Sequence, residues 1–243
     1  MIQITGIIPA RFSSTRFPGK PLVLIDGKTM IQRVYEQSKK SQCLQKVVVA
    51  TDDERILNHV ISFGGEAIMT AVHHQSGTER CAEVAEKISS DAYINIQGDE
   101  PYIHPEQIDE VALLLQKSEV QIATLIKKIT GAEELFNTNK PKVVISNTNK
   151  ALYFSRQTIP FVRGLEPSQW LSRQDFYKHI GIYGYKRNTL LEIVRLPMSA
   201  LEKSEALEQL RWLENSYDIH VGITEMESYS VDTEEDLKSL PKT

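Results

Sequence analysis

Cysteine is nearly absent: the 243 residues include two, Cys43 and Cys81, which stand 38 positions apart with no CxxC spacing. That excludes a zinc ribbon, a redox pair and a disulfide scaffold, and makes a reducing, cytoplasmic setting the expected one. Positive charge is not in excess either. Lys and Arg number 28 against 32 Asp and Glu, a formal net charge of −4, so no global basic field is available to hold nucleic acid or an anionic membrane. Any anionic ligand must meet a local cluster. A long hydrophobic run is also missing: the first apolar stretch has no basic region before it and reaches Arg11, too early for a signal peptide or a membrane span. Nor is there GxxxxGK[ST], because Pro21 follows Lys20, nor GxGxxG, HExxH or GxSxG, which excludes a P-loop, a Rossmann dinucleotide grip, a helical zinc site and a serine-hydrolase elbow. With no repeat, low-complexity tract or linker, one domain spanning 1–243 is expected.

What is present is alternation. The strand-like runs ITGIIP, KVVVAT, EAIMT and AYINIQ are separated by helical patterns, which predicts an α/β fold with a largely parallel sheet and helices on both faces. Ile56, Leu57, Val60 and Ile61 fall at helical spacing before Gly64-Gly65, a C-terminal stop, and Cys81, Val84, Ala85 and Ile88 form a second stripe. KVVISNTNKALYFS reads as a hairpin, the entry of antiparallel structure. RGLEPSQWLSRQ reads as a surface loop before the strand KHIGIYGYKR. From residue 200, ALEKSEALEQLRWLENSY predicts one amphipathic helix, followed by the strand DIHVGIT. In VDTEEDLKSL, Thr233 is the expected N-cap of a closing helix.

Ligands of such sheets bind beyond the carboxyl ends of the strands, and the residues there are polar. After the first strand, PARFSSTRFPGK carries Arg11, Arg16 and Lys20 with no acid, groups able to neutralise and orient a triphosphate or a pyrophosphate leaving group. In HHQSGTER, Ser76 and Glu79 fit a capping box, and Gly77 lets backbone approach a flat base. Adjacent His73 and His74 lack the spacing of a helical metal site. In QGDEP, Asp99 ends a central strand, where a carboxylate suits Mg²⁺, with Asp232 as a second oxygen ligand. His179, Tyr183 and Tyr185 alternate and would share a face. On the residues alone, a solvated basic loop, an Asp99 that caps a turn before Pro101, an Asp232 that merely sits beside a cap, and aromatics that belong to the core all remain open.

The motifs IPARFSSTRFPGKPL, VATDDERI, HQSGTER, NIQGDEP, ALYFSR, KHIGIYGY, LEQLRWLE and VDTEEDL, in this order and nearly end to end, resemble the 3-deoxy-manno-octulosonate (Kdo) cytidylyltransferases of bacterial lipopolysaccharide synthesis. The resemblance implies a nucleotide-diphospho-sugar transferase fold and a homodimer formed by an antiparallel part at about 130–195. It implies the reaction CTP plus Kdo giving CMP-Kdo plus pyrophosphate, with Mg²⁺ as cofactor. Carried over by position, Arg11 and Lys20 grip the triphosphate, Ser13 is a substrate contact, and Gln75, Ser76 and Gly77 meet the cytosine nucleotide. Asp99 and Asp232 hold the metal, and Arg11, Lys20 and Asp99 are the catalytic set. Gln97, Arg156, His179, Tyr183, Glu208 and Gln209 occupy the sugar pocket. One departure is Glu234, where the family usually has proline, a favoured residue of a first helical turn; it weakens the cap and leaves Asp232 in place. An 8-amino analogue of Kdo is an alternative acceptor, although HHQSGTE favours Kdo itself. A sugar-1-phosphate nucleotidyltransferase and a CTP-sensing protein without turnover are the rival readings.

Overall fold

The computed structural model describes residues 2–13 and 17–240, so Arg16 of the cationic loop lies outside the described residues. Strand β1 (Ile4–Ala10) is followed by a small hairpin of β2 (Leu24–Ile25) and β3 (Lys28–Thr29) and then by helix α1 (Met30–Ser38). The next units are β4 (Lys46–Thr51) with α2 (Glu54–Ser62), β5 (Ala67–Met69) with α3 (Gly77–Lys87), and β6 (Ala92–Asn95) with α4 (Pro105–Leu115). Past β7 (Ile122–Lys128) and the short α5 (Ala132–Phe136), β8 (Lys142–Ile145) and β9 (Ala151–Ser155) form the expected hairpin. Strand β10 (Tyr177–Lys186), α6 (Arg187–Ile193), α7 (Ala200–Glu205), α8 (Gln209–Glu214) and β11 (Ile219–Ile223) complete the sequence of elements.

The sheet order is β11-β7-β10-β6-β1-β4-β5, with β8 and β9 joined through β10. At its heart β1 runs parallel to both β4 and β6, while β10 enters antiparallel between β6 and β7. The fold is therefore α/β with a mixed, mostly parallel sheet and an antiparallel part. Successive strand residues face opposite sides, and the runs are apolar on both. Ile4, Ile8, Val47 and Val49 pack with Ile31, Ile56 and Val111 from α1, α2 and α4. Ile7, Val48 and Tyr93 pack with Cys81, Leu190 and Leu210 from α3, α6 and α8. Helix α2 stops where Gly64 takes φ 82 and the Gly65 N–H returns to the Val60 carbonyl at 2.9 Å, the αL stop that the double glycine predicts. No helix among the described residues is long and apolar enough to cross a membrane.

Two local expectations fail and one holds only in part. The segment from 200 is two short helices, broken at Ala206, whose φ is 51. Arg156 is the cause: its Nε donates to the Glu205 carbonyl at 2.6 Å and its Nη2 to the Ala206 carbonyl at 3.2 Å, occupying acceptors that a continuing helix would use. The stretch read as a surface loop holds a 3-10 helix, Pro167–Ser172, and Trp170, 6% exposed, sits in a cluster with Ile129, Leu135 and Phe176. An indole this large gains more from burial than a loop gains from solvent, and its N–H reaches the Leu165 carbonyl. Finally, Thr233 caps no helix. Asp236 Oδ2 accepts the N–H groups of Asp232 and Thr233 and the Thr233 hydroxyl, so the later acid caps backwards and the 3-10 turn begins only at Asp236.

Candidate active site

The parallel strands β1 and β6 end side by side, and the loops leaving them come into contact. After β6, a Cβ on Gly98 would lie 2.6 Å from the Pro9 carbonyl of β1, so only glycine permits the approach that sets Asp99 against the loop leaving β1. That loop is closed by the Gly19 N–H on the Phe12 carbonyl at 2.9 Å, with Gly19 at φ 72, and it delivers Lys20. Lys20 Nζ donates to Asp99 Oδ2 at 2.7 Å and to the Val231 carbonyl at 2.8 Å, and lies 3.7 Å from Asp232 Oδ1. The far C-terminal segment is pinned there by the Val231 N–H on the Asp99 carbonyl at 2.9 Å. Val231 itself is fully buried with Phe17, Ile25 and Met30.

Two cavities meet at this point. The first, of about 390 Å³, is lined by Arg11, Ser13, Lys20, Gly77 and Arg80 together with Gln97 and Asp99. Its cations and the N-terminus of α3 suit an anion such as a phosphate chain. The second, of about 480 Å³, is lined by Arg156, His179, Tyr183, Glu208 and Gln209, again with Gln97 and Asp99, and also with Asp232. Gln97 is held by its Nε2 on the Gly181 carbonyl at 2.7 Å. Asp99 thus stands on the wall between a cationic cavity and one the size of a small ligand.

In the second cavity the polar groups are tuned by burial. Burial holds the His179 imidazole neutral, down to about 3; its Nε2 is 2.9 Å from the Thr124 hydroxyl and its ring is 5.1 Å from that of Tyr183. Burial, with the Glu208 charge nearby, pushes the Tyr183 phenol well above its usual range, and its hydroxyl has no protein hydrogen-bond partner among the described residues. Burial also raises the Glu208 carboxyl, against the lowering effect of Thr78 and Ser76; the Thr78 hydroxyl donates to it at 2.6 Å. Both Glu208 and Gln209 reach the cavity because the α7–α8 break ends just before them. Arg156 carries, besides its bonds to 205 and 206, a bond from Nη1 to the Thr138 carbonyl at 3.3 Å.

Not every predicted residue enters these cavities. Ser76 is the N-cap of α3, its hydroxyl accepting the Glu79 N–H at 3.2 Å. Gln75 lines a third cavity, of about 550 Å³, with His73, His74, Glu79 and Glu83, and its carbonyl accepts from Arg11. Residue-type reasoning passed over Arg80, although it lies in HQSGTER: 1% exposed, it is held by Asp52 at 2.8 Å and by the Thr70 hydroxyl, and it lines the first cavity. An arginine one turn into an otherwise capped helix was the available signal. Lys178, 4% exposed and paired with Glu134 and Glu227 at 2.5 Å each, is a further wall of the second cavity that the strand pattern alone did not reveal.

For a metal, two carboxylates sharing one ammonium form a hard-oxygen, anionic pair that fits Mg²⁺, which takes one or two carboxylates and completes its shell with phosphate oxygens and water. No group of three or more His, Cys, Asp or Glu gathers as a metal cage among the described residues.

Comparison with known proteins shows the family. The family model described as cytidylyltransferase matches residues 5–219. A Parabacteroides distasonis protein named 3-deoxy-manno-octulosonate cytidylyltransferase is 54% identical over 244 residues, covering 98% of this chain and 96% of its own. One of the same name from Cytophaga hutchinsonii is 51% identical over 245 residues, covering 100% and 98%. A solved CMP:2-keto-3-deoxy-manno-octonic acid synthetase complexed with CTP superimposes with a TM-score of 0.91 at 40% identity, over 98% of this chain and 96% of that one.

Proposed function

The chain belongs to the 3-deoxy-manno-octulosonate cytidylyltransferase family, and on that premise we propose that the two cavities bind CTP and Kdo on either side of Asp99 for cytidylyl transfer. The enzyme is a nucleotidyltransferase that converts CTP and Kdo into CMP-Kdo and pyrophosphate. The observation that carries the residue assignment is the shared wall: Gln97 and Asp99 line both cavities, so a triphosphate in one and a sugar acid in the other meet there.

In this reading the anomeric hydroxyl of Kdo attacks the α-phosphorus in line, and the protein contributes position and charge rather than a covalent intermediate. Arg11 and Lys20 take the triphosphate and stabilise the departing pyrophosphate, with Ser13, Gly77 and the N-terminus of α3 beside them. Gln75 and Ser76 belong to the segment that meets the cytosine nucleotide. Arg156 orients the sugar carboxylate; Gln97, His179, Tyr183, Glu208 and Gln209 order the hydroxyls, and the unpartnered phenol of Tyr183 supports that role. Asp99 and Asp232 would hold Mg²⁺, which when bound supplies Lewis-acid stabilisation of charge on the phosphate oxygens. CTP binding in this arrangement draws the Lys20 ammonium from Asp99 towards phosphate.

The proposal extends to a single domain over 1–243 and to a homodimer through the antiparallel part at 130–195, which Leu152 and Phe161, 61% and 73% exposed, support as contact residues. A cytoplasmic location is supported by two free cysteines. The test is pyrophosphate release with Mg²⁺ and CTP, with Kdo, with its 8-amino analogue and with neither, beside a UTP and glucose 1-phosphate control. Release that requires CTP and is faster with Kdo is expected. Release only with glucose 1-phosphate, or CTP binding without release, would overturn the reading.

A further inference from the structure

The loop from 71 to 75 packs on one face of α3, where Glu79, Glu83 and Lys87 recur at a four-residue spacing that aligns them on a helix. Each binds the loop or the strand end before it. Glu83 Oε2 accepts the Ala71 N–H at 2.8 Å and lies 2.5 Å from His74 Nε2. Glu79 Oε2 accepts the Gln75 N–H at 2.6 Å and lies 3.8 Å from His74 Nδ1. Lys87 Nζ reaches the Met69 carbonyl at 2.9 Å and Glu83 Oε1 at 2.6 Å. Held from below in this way, the loop turns two carbonyls outward, and both face Arg11: Nη1 donates to the His74 carbonyl at 3.3 Å and Nη2 to the Gln75 carbonyl at 3.2 Å.

We infer that Glu83 and Glu79 are positioning residues for CTP, acting through the 71–75 loop to fix the Arg11 guanidinium at the mouth of the phosphate cavity. The inference rests on the reading of Arg11 as a triphosphate ligand. An exposed arginine loses considerable rotamer freedom when it binds an anion, and carbonyl anchors that hold two of its nitrogens remove part of that loss before the ligand arrives. The side chain so held also lines the phosphate cavity. Two carboxylates that never touch the nucleotide thereby set the orientation of a group that does. The clamp is strongly ionic: burial would raise the Glu83 carboxyl, but the Ala71 N–H, Lys87 and His74 outweigh it and bring it down to about 2.

The test is CTP affinity by calorimetry, without sugar, for Glu83→Ala, Glu79→Ala and Arg11→Ala and for each carboxylate variant combined with Arg11→Ala, together with sugar KM. Glu83→Ala is expected to weaken CTP about tenfold, Glu79→Ala about threefold, and neither should alter sugar KM. In the Arg11→Ala background both effects should shrink markedly, leaving only what the loop contributes through Gln75 and Ser76. Glu83→Gln, which keeps an acceptor for Ala71 but gives up the charge that faces Lys87, should recover part of the loss. A carboxylate variant that weakens CTP by the same factor with and without Arg11, or not at all, would overturn the inference. If Arg11→Ala leaves CTP affinity unchanged, the reading of Arg11 fails and takes this inference with it. Should Glu83→Ala fold poorly, the Glu79 pair decides, because Glu79 is more exposed and contributes one bond to the loop.

Discussion

Replacing Glu202 with alanine tests how the sugar side of the site is held together. Glu202 and Arg211 form a two-toothed pair, with Arg211 Nε to Oε2 at 2.7 Å and Nη2 to Oε1 at 2.6 Å, and the two residues are 6% and 8% exposed. The pair ties α7 to α8 across the break that brings Glu208 and Gln209 to the cavity. Removing one member strands a buried guanidinium, which costs roughly 3–5 kcal/mol, and it also deletes half of the capping box with Ser199, about 1 kcal/mol more. Glu208 remains 3.9 Å from Arg211 and offsets part of the loss, so about 3–4 kcal/mol is the expected net change. For a domain of this size that corresponds to a fall in melting temperature of roughly 6–16 °C, read by calorimetry or by denaturant unfolding. Because Arg211 then turns to Glu208, sugar KM should rise while CTP KM holds. Glu202→Leu combined with Arg211→Met should restore most of the stability, since the penalty lies in the unpaired charge. A single-variant loss under about 1 kcal/mol, or a double variant as unstable as the single, would refute this reasoning.

Two further outcomes concern the site directly. Asp99→Ala should lower kcat by on the order of a hundredfold or more, as a group whose charge acts mainly in the transition state, whereas Arg156→Ala should chiefly raise sugar KM; initial rates over a matrix of CTP and Kdo concentrations separate the two, and an Asp99→Ala enzyme of normal turnover would remove the metal assignment. His179 titrates near 3 when folded, held down by burial, and near 6.5 when unfolded. Its neutral packing therefore contributes fully above about 6.5, and up to about 1.4 kcal/mol is lost per pH unit as pH falls towards 3. Urea unfolding of wild type and His179→Gln should show the stability gap between them narrowing from pH 7.5 to pH 5; a gap independent of pH would contradict the assignment.

The parallel half of the fold could be read from residues because its signals are local. An apolar, β-branched run such as KVVVAT has no other stable use in a chain with polar helices on either side, and Gly64-Gly65 and Ser76 mark helix ends by chemistry that acts within a few residues. The break at Ala206 could not be read this way: residues 200–217 keep one amphipathic pattern, and the carbonyl that it would use at Ala206 is taken by Arg156, fifty positions away. Trp170 was hidden for the same reason, since its partners Ile129 and Phe176 come from other elements. The backward cap by Asp236 was hidden by ambiguity instead, because a threonine with an acid three residues on can cap in either direction.

The candidate site divides along the same line. Arg11, Lys20 and Asp99 announce themselves by charge at strand ends, where a packed sheet supplies no apolar reason for them. Charge and spacing cannot convey that Lys20 rests on Asp99 and near Asp232, which requires Gly98 to pass so close to the Pro9 carbonyl that a Cβ would lie 2.6 Å from it, and Val231 to be buried under the loop. These contacts bring the acid after β6 and the acid near the C-terminus to one ammonium despite their distance in sequence. An ammonium between two carboxylates offsets one of their two charges in the ligand-free centre, and incoming phosphates offer the ammonium a competing partner. In the proposed arrangement the same move that binds CTP exposes the carboxylates beside it, so affinity for the nucleotide and readiness for a hard cation would rise together at one wall between two cavities.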